Sequence, residues 1–499
     1  MSDSPLRVVV VGRDAALWLT AAALQRALGV TGVSVGAVEL PASLSSGAVQ
    51  RSLPPLEALH NRLGINEADL IRATRGSYTL GWNVAPPTPA EPFFLAHGGY
   101  GAPIDGADFF HHWVKARRFG LDVDFEMFSP TAMAARQGRM LLPDSETEKF
   151  GRTDYGYHLP GIEYAGFLKG LAPRTALTCH RSRSVSVERD EADGAIRAVR
   201  LDQGDRIEGD LFVDASGAEA VLIGRALGQG FETCATRSAI DRTLVACAPR
   251  FASVPVYSEV RICEGGWLEL LASQAATQVK LAYSSAELSD DEALAVARAA
   301  SQLPLQQASV QAVQPGDRLR PWTANCIAVG AAAHQFDPLF DLDLHIVQLG
   351  IVHLISLFPS REKFDAERDE YNRVLGSKIA RLRDLQPAFY GLNRFHTAGF
   401  WDAARRAGMP EATVHKIGTF RARGQIAPME DETFAPDFWR ALLVGLGEMP
   451  QTWPPAIDLT PAETVKSALQ RMLGFVKDKV LQQPTHDAYL ARLTQGELV

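Results

Sequence analysis

A chain of 499 residues has room for about three domain-sized units, and its 46% apolar and 22% charged residues are ordinary globular usage, which excludes wholesale disorder. Fifty Lys and Arg against 58 Asp and Glu give a formal charge of −8, which argues against a nucleic-acid partner and gives no reason to expect an anionic membrane. Cys179, Cys234, Cys247, Cys263 and Cys326 are scattered, odd in number and without a CxxC pair; they fit reduced thiols, a cytoplasmic location and no metal centre.

Taken in chain order, MSDSPLRVVVVG leads straight into strand-like sequence, not a signal peptide, and no apolar run reaches the 18 residues of a membrane span. Arg7 to Val11 (RVVVV) predicts a strand buried on both faces of a parallel sheet. Gly12 punctuates it, strong helix formers follow from Ala15 to Leu28, and Val33 to Leu40 reads as a second strand ending in an acid, Glu39. Strand, glycine turn, helix, strand and acid outline a βαβ dinucleotide-binding unit. Ser184 to Arg206 and Leu244 to Ser285 alternate as antiparallel strands do. Asp210 to Ala218 and Ala324 to Ala333 read as further strands of the first sheet. From Ile346 onward the helical period dominates, broken at Pro387, Pro410, Pro428 and Trp453 to Pro455. The expected architecture is α/β: a Rossmann-type core with an interleaved second sheet over residues 1–345, then a mostly helical region over 346–499.

The turn itself departs from the dinucleotide pattern. G-x-G-x-x-G keeps the turn tight, lets the backbone approach a pyrophosphate and lets the helix pack close. Of those three glycines only Gly12 is present. Asp14 sets a carboxylate where the pyrophosphate would lie, and Leu17 adds bulk where the helix meets the strand. Two readings stand: a cofactor turn with altered residues, or a βαβ unit that keeps its architecture without the ligand, with Asp14 as a helix cap.

Other residues invite sharp stories. His334, Asp337, Asp341, Asp343 and His345 suit a divalent metal by type, but a loop capping a helix that starts near Leu344 is the favoured reading. His111 and His112 are adjacent on a predicted helix and so diverge. Trp18, Trp82, Trp401 and Trp439 are expected in the core, as is Cys326.

Beyond the first turn the chain resembles the flavin-dependent tryptophan halogenases. Leu63 to Glu67 (LGINE) followed by Tyr78 to Gly81 (YTLG) is similar to that family's LGI-x-E segment and FKLG strand. Gly151 to Leu168 resembles its YHFD…FL stretch, Phe212 to Gly217 (FVDASG) its FIDCTG, and Trp322 to Gly330 (WTANCIAVG) its W-x-x-NCVAIG. Tyr371-Asn372, Arg383-Asp384, Phe389-Tyr390, Phe400-Trp401, Phe438-Trp439 and GLGEMP ending at Pro450 follow in the family's order.

The resemblance implies an FAD-binding, flavoprotein-monooxygenase-like fold, a separate flavin reductase as partner and a small aromatic substrate. Gly12, Ala15, Glu39, Gly217 and Gly330 are its cofactor-side positions. In that family a lysine delivers halogen and a glutamate assists the substitution. Here the lysine position of the FKLG strand is Thr79, and the glutamate position is Phe340 within Asp337 to Asp343. The loop that hugs the flavin, GVGEAT in the family, is Gly47 to Ser52 with Gln50 in place of the acid. WxWxIP becomes Trp267 to Ala272 (WLELLA). These replacements predict that tryptophan halogenation is absent. They leave an oxidoreductase of altered chemistry, or a non-catalytic binding protein that assembles with copies of itself or an active paralogue and holds no FAD.

Overall fold

The computed structural model of the chain describes residues 6–87, 89–172, 176–234, 240–359, 364–396 and 399–496. These fall into two compact units, each gathered from three segments. The first takes Met1–Arg75, Leu159–Ala235 and Val313–Ala380; the second takes Gly76–His158, Thr236–Ala312 and Arg381–Val499.

The first unit is built on β1 (Arg7–Gly12), whose valines Val8 to Val11 are buried on both faces. Burial of each such side chain is worth about 1.5–3 kcal/mol relative to exposure. β2 (Ser34–Glu39) and β3 (Leu211–Ala215) flank it, both parallel, with Gly12 level with Glu39 on one side and Ala215 on the other. The sheet order is Trp322–Thr323, Cys326–Ala328, β3, β1, β2, Thr178–Arg181, with only Trp322–Thr323 antiparallel. Between β1 and β2 runs α1 (Asp14–Leu28), where buried Ala21, Ala22 and Ala23 leave little bulk on the helix. A three-stranded antiparallel sheet, Val185–Arg189, Ile196–Leu201 and Arg206–Glu208, adds Ile196, Val199 and Leu201 to a core containing Val9, Val11 and Phe212.

The second unit carries a seven-stranded sheet in the order Gln306–Ala312, Arg242–Pro249, Ala276–Tyr283, Gly266–Ala272, Ser258–Cys263, Gly81–Ala85, Phe93–Ala96. One face meets the helix Asp290–Ser301, started by a capping box of Ser289 and Glu292, around Leu244, Leu268, Val279 and Leu281. The predicted alternation over Leu244 to Ser285 is therefore borne out as antiparallel strands. So is the helical tail, which runs from α2 (Asp343–Ser356) through the helix His486–Gln495. No helix among the described residues is long and apolar enough to cross a membrane.

Candidate functional site

The parallel sheet brings the residues expected on the cofactor side to one edge, where the carboxyl ends of its strands lie. Gly12 ends β1, and a Cβ there would stand 2.5 Å from the Ala215 carbonyl oxygen, so only glycine lets β1 and β3 approach this closely. Gly217 follows β3 with φ +76°, and Gly330 follows Cys326–Ala328 with φ +60°. Ala15 is fully buried in the first turn of α1. Glu39 ends β2, but its carboxylate is already engaged: Lys169 Nζ donates to both oxygens, at 2.9 and 2.6 Å, and Arg181 Nε donates at 2.7 Å. Burial alone would raise the Glu39 carboxyl; these cations outweigh it and hold it below the ordinary carboxylate range. The Lys169 ammonium also lies 5.2 Å from the centre of the Trp18 ring.

The turn between β1 and α1 is where sequence and structure part. Asp14 as a helix cap is corrected: the cap position is Arg13, in extended conformation, and no side chain caps the helix. Asp14 is the first helical residue, with φ +53°, left-handed backbone of the kind the missing glycine would adopt. Its carboxylate instead reaches Ser43, accepting from the backbone N–H at 3.0 Å and from the hydroxyl at 2.8 Å. On the other side Arg13 Nη1 pairs with Glu219 at 2.9 Å. Leu17 is fully buried, so the helix packs on a leucine where a glycine would allow closer contact. Beside Arg13 opens a pocket of 420 Å³, walled by Leu40, Val185, Val187 and Val221 and edged by Arg183, Arg225 and Glu219.

Asp214, which sequence reasoning passed over inside FVDASG, organises the turn after β3. One oxygen accepts from the Ser216 backbone and hydroxyl, the other from the N–H groups of Leu222 and Ile223. Burial pushes its carboxyl above the ordinary value, against those four bonds. An acid two residues before Ser-Gly at a strand end was the available signal.

The segment after the short strand His334–Gln335 does not assemble a metal centre. Among the described residues no three His, Cys, Asp or Glu side chains are grouped to hold an ion. His334 bonds Asp317 at 2.8 Å, while Asp337 accepts from the Leu339 N–H. The helix start was placed correctly, since α2 opens at Asp343, but the cap position is Leu342 and Asp341 does not cap it. Arg51 donates from its backbone N–H to the Asp341 carboxylate and from its guanidinium to the Asp341 carbonyl. Phe340, expected from the sequence at the glutamate position, is fully buried with φ +66°, and Asp341 follows with φ +44°. A bulky residue in left-handed backbone costs on the order of 1–3 kcal/mol. Gln50 turns its amide oxygen inward without a hydrogen bond.

In the second unit Thr79 ends the strand Ser77–Thr79, fully buried. Its hydroxyl donates to the Gly81 carbonyl at 3.0 Å, which closes the turn into the next strand. Trp267 is fully buried and donates to the Tyr390 hydroxyl at 2.9 Å. Two residues on, where the second tryptophan of WxWxIP would stand, Glu269 is fully buried opposite Lys280, with a charge separation of 3.7 Å. Trp18, Trp82, Trp401 and Trp439 are all buried as expected, and burial pushes the Cys326 thiol well above its ordinary value. His111 and His112 lie on the helix Phe109–Arg118.

Comparison with known proteins agrees over nearly the full length. The tryptophan halogenase family profile matches residues 7–462. Tryptophan 6-halogenase ThaL of Streptomyces albogriseolus is 25% identical over 500 residues, 93% of each chain. The solved structure of BrvH, a flavin-dependent halogenase from Brevundimonas sp. BAL3, superposes with a TM-score of 0.91 at 30% identity, covering 98% of this chain and 99% of that one. Xcc4156, a flavin-dependent halogenase from Xanthomonas campestris, gives 0.91 at 29% identity with 98% of each chain covered. With the βαβ core, the glycines at its strand ends and the ordered strings along the chain, these matches establish that the chain belongs to the tryptophan halogenase family of flavin-dependent halogenases.

Proposed function

We propose that this protein keeps the halogenase fold and does not transfer halogen, acting as a binding protein of that family. One observation carries the reading: the two positions that would deliver and assist halogen transfer are Thr79 and Phe340, both fully buried and neither able to do the chemistry. A threonine hydroxyl has no basic nitrogen to take up halogen, and its hydrogen bond is already spent on Gly81. A phenyl ring moves no proton.

The FAD that the family uses supplies oxygen activation when bound, and the donor set at the first turn does not fit it. Gly12, Gly217 and Gly330 keep the backbone shape of a cofactor edge. Asp14 and Leu17 oppose a pyrophosphate by charge and bulk, and Glu39 is held by Lys169 and Arg181. Under this reading a flavin reductase has nothing to deliver. The partners that remain are a small aromatic ligand, another copy of the chain or an active paralogue.

The test is direct. Purified protein is incubated with a flavin reductase, NADH, FAD, bromide or chloride, and tryptophan, and products are read by mass spectrometry. No halogenated tryptophan above a reductase-only control is expected. A halogenated product above that control overturns the reading.

A further inference from the structure

We propose that Arg13 and Asp14 make the first βα turn its own ligand: a two-sided clasp that ties three strand ends together and shuts out a dinucleotide. This deepens the reading above for the same edge of the sheet.

In a dinucleotide site the strand ends are bridged by the pyrophosphate, which gathers N–H donors from a turn built of glycines. Here the chain supplies the bridge. Arg13 pairs at 2.9 Å with Glu219 in the turn after β3, and Asp14 accepts from Ser43 in the loop after β2. One Asp14 oxygen takes both a backbone N–H, at 3.0 Å, and a hydroxyl, at 2.8 Å, the two-donor arrangement an anionic phosphate oxygen would command. Asp14 holds the left-handed backbone that glycine favours, so the turn keeps its dinucleotide-type shape while its side chain stands where the ligand would. Two neighbouring features agree. Leu17 fills the gap a third glycine would leave, and Glu39 is held by Lys169 and Arg181.

The clasp is electrostatic as well as steric. A carboxylate a few ångströms from a pyrophosphate in a partly desolvated turn weakens binding by about tenfold or more. Removing it alone therefore recovers affinity, and the Arg13 arm leaves part of the bridge in place.

The experiment is a titration of the full-length protein with FAD, followed by tryptophan fluorescence and calorimetry, on the wild type, Asp14→Gly and Asp14→Asn. Expected is weak or unsaturable binding by the wild type and at least a tenfold gain in Asp14→Gly. Asp14→Asn, which loses the charge and keeps an acceptor for Ser43, falls between. Saturating FAD raises the melting temperature of Asp14→Gly by more than that of the wild type, because the ligand takes over the bridge only when Asp14 is gone. Wild-type binding as tight as that of Asp14→Gly overturns the clasp, and so does a folded Asp14→Gly with no gain.

If Asp14→Gly does not fold, Ser43→Ala carries the test through hydrogen exchange. Loss of the hydroxyl donor speeds exchange of the backbone amides of residues 40 and 42–46 when the clasp exists, and unchanged exchange overturns it. Wild-type protein that binds FAD tightly and makes no halogenated product overturns the clasp alone. A halogenated product overturns the reading under Proposed function.

Discussion

Arg51 grips Asp341 at two points, with its backbone N–H on the carboxylate and its guanidinium on the carbonyl, both at 3.3 Å. This fixes the segment in which Phe340 sits buried in left-handed backbone. Strain of that kind persists only where the surroundings hold it. Arg51 is itself 1% exposed, so the grip is an interior feature.

Arg51→Met removes the guanidinium half of this grip, leaves the backbone N–H on the Asp341 carboxylate and keeps most of the buried volume. Loss of that one hydrogen bond from a charged donor predicts about 2 kcal/mol of destabilisation. A urea unfolding midpoint indistinguishable from wild type refutes it.

Asp214→Ala leaves four buried donors without an acceptor at the end of β3: the Ser216 N–H and hydroxyl, and the Leu222 and Ile223 N–H groups. Each unmet buried group costs about 1–3 kcal/mol before relaxation, so a loss of about 4 kcal/mol is expected. Asp214→Asn keeps one accepting oxygen and loses roughly half as much. Thermal unfolding of both variants ranks them.

Acid weakens this protein through buried histidines. Burial pushes His60, His345 and His486 each down to about 4 from an ordinary 6.5. The ring of His486 is held neutral by its partners: Nδ1–H donates to the Val254 carbonyl and Nε2 accepts from the Tyr78 N–H. Below pH 6.5 the unfolded chain binds protons that the folded chain refuses until about pH 4. Stability is thus complete above 6.5 and falls as pH drops from there toward 4. Each histidine contributes a slope of about 1.4 kcal/mol per pH unit inside that window. Urea midpoints measured from pH 7.5 to 5 check the slope, and His486→Gln flattens it by about a third.

Placing the expected lysine and glutamate at Thr79 and Phe340 is predicted not to produce halogenation. Thr79→Lys sets an ammonium in a fully buried position and deletes the hydroxyl bond to Gly81, while Phe340→Glu buries a carboxylate. Each change costs on the order of 3 kcal/mol or more. The double variant is expected to melt well below wild type and to give no halogenated tryptophan by mass spectrometry.

Gly12→Ala drives a Cβ to 2.5 Å from the Ala215 carbonyl oxygen. Separation of β1 from β3 predicts a loss of about 1–3 kcal/mol, read as a lower thermal midpoint. An unchanged midpoint means the two strand ends have slack.

The sequence by itself determined the βαβ order, because β-branched RVVVV and the small-residue helix after Gly12 leave few alternatives. It also determined the antiparallel sheet, whose alternation follows from one face meeting the core. Family membership was legible for the same reason: strings such as FVDASG and WTANCIAVG sit at strand ends, where geometry restricts residue choice. Replacements at Thr79, Phe340, Asp14 and Leu17 were visible as letters.

What those letters do was decided by tertiary structure, because their partners are distant in the chain. Asp14 looked like a cap and is a bridge, since its acceptor reaches Ser43, 29 residues away. Asp341 looked like a cap or a metal ligand and is held by Arg51, 290 residues away. Glu39 looked like a free acid on the cofactor side and is held by Lys169 and Arg181. Local pattern fixes backbone conformation through sterics and periodicity. Side-chain charge finds its partner only when the fold brings the partner near.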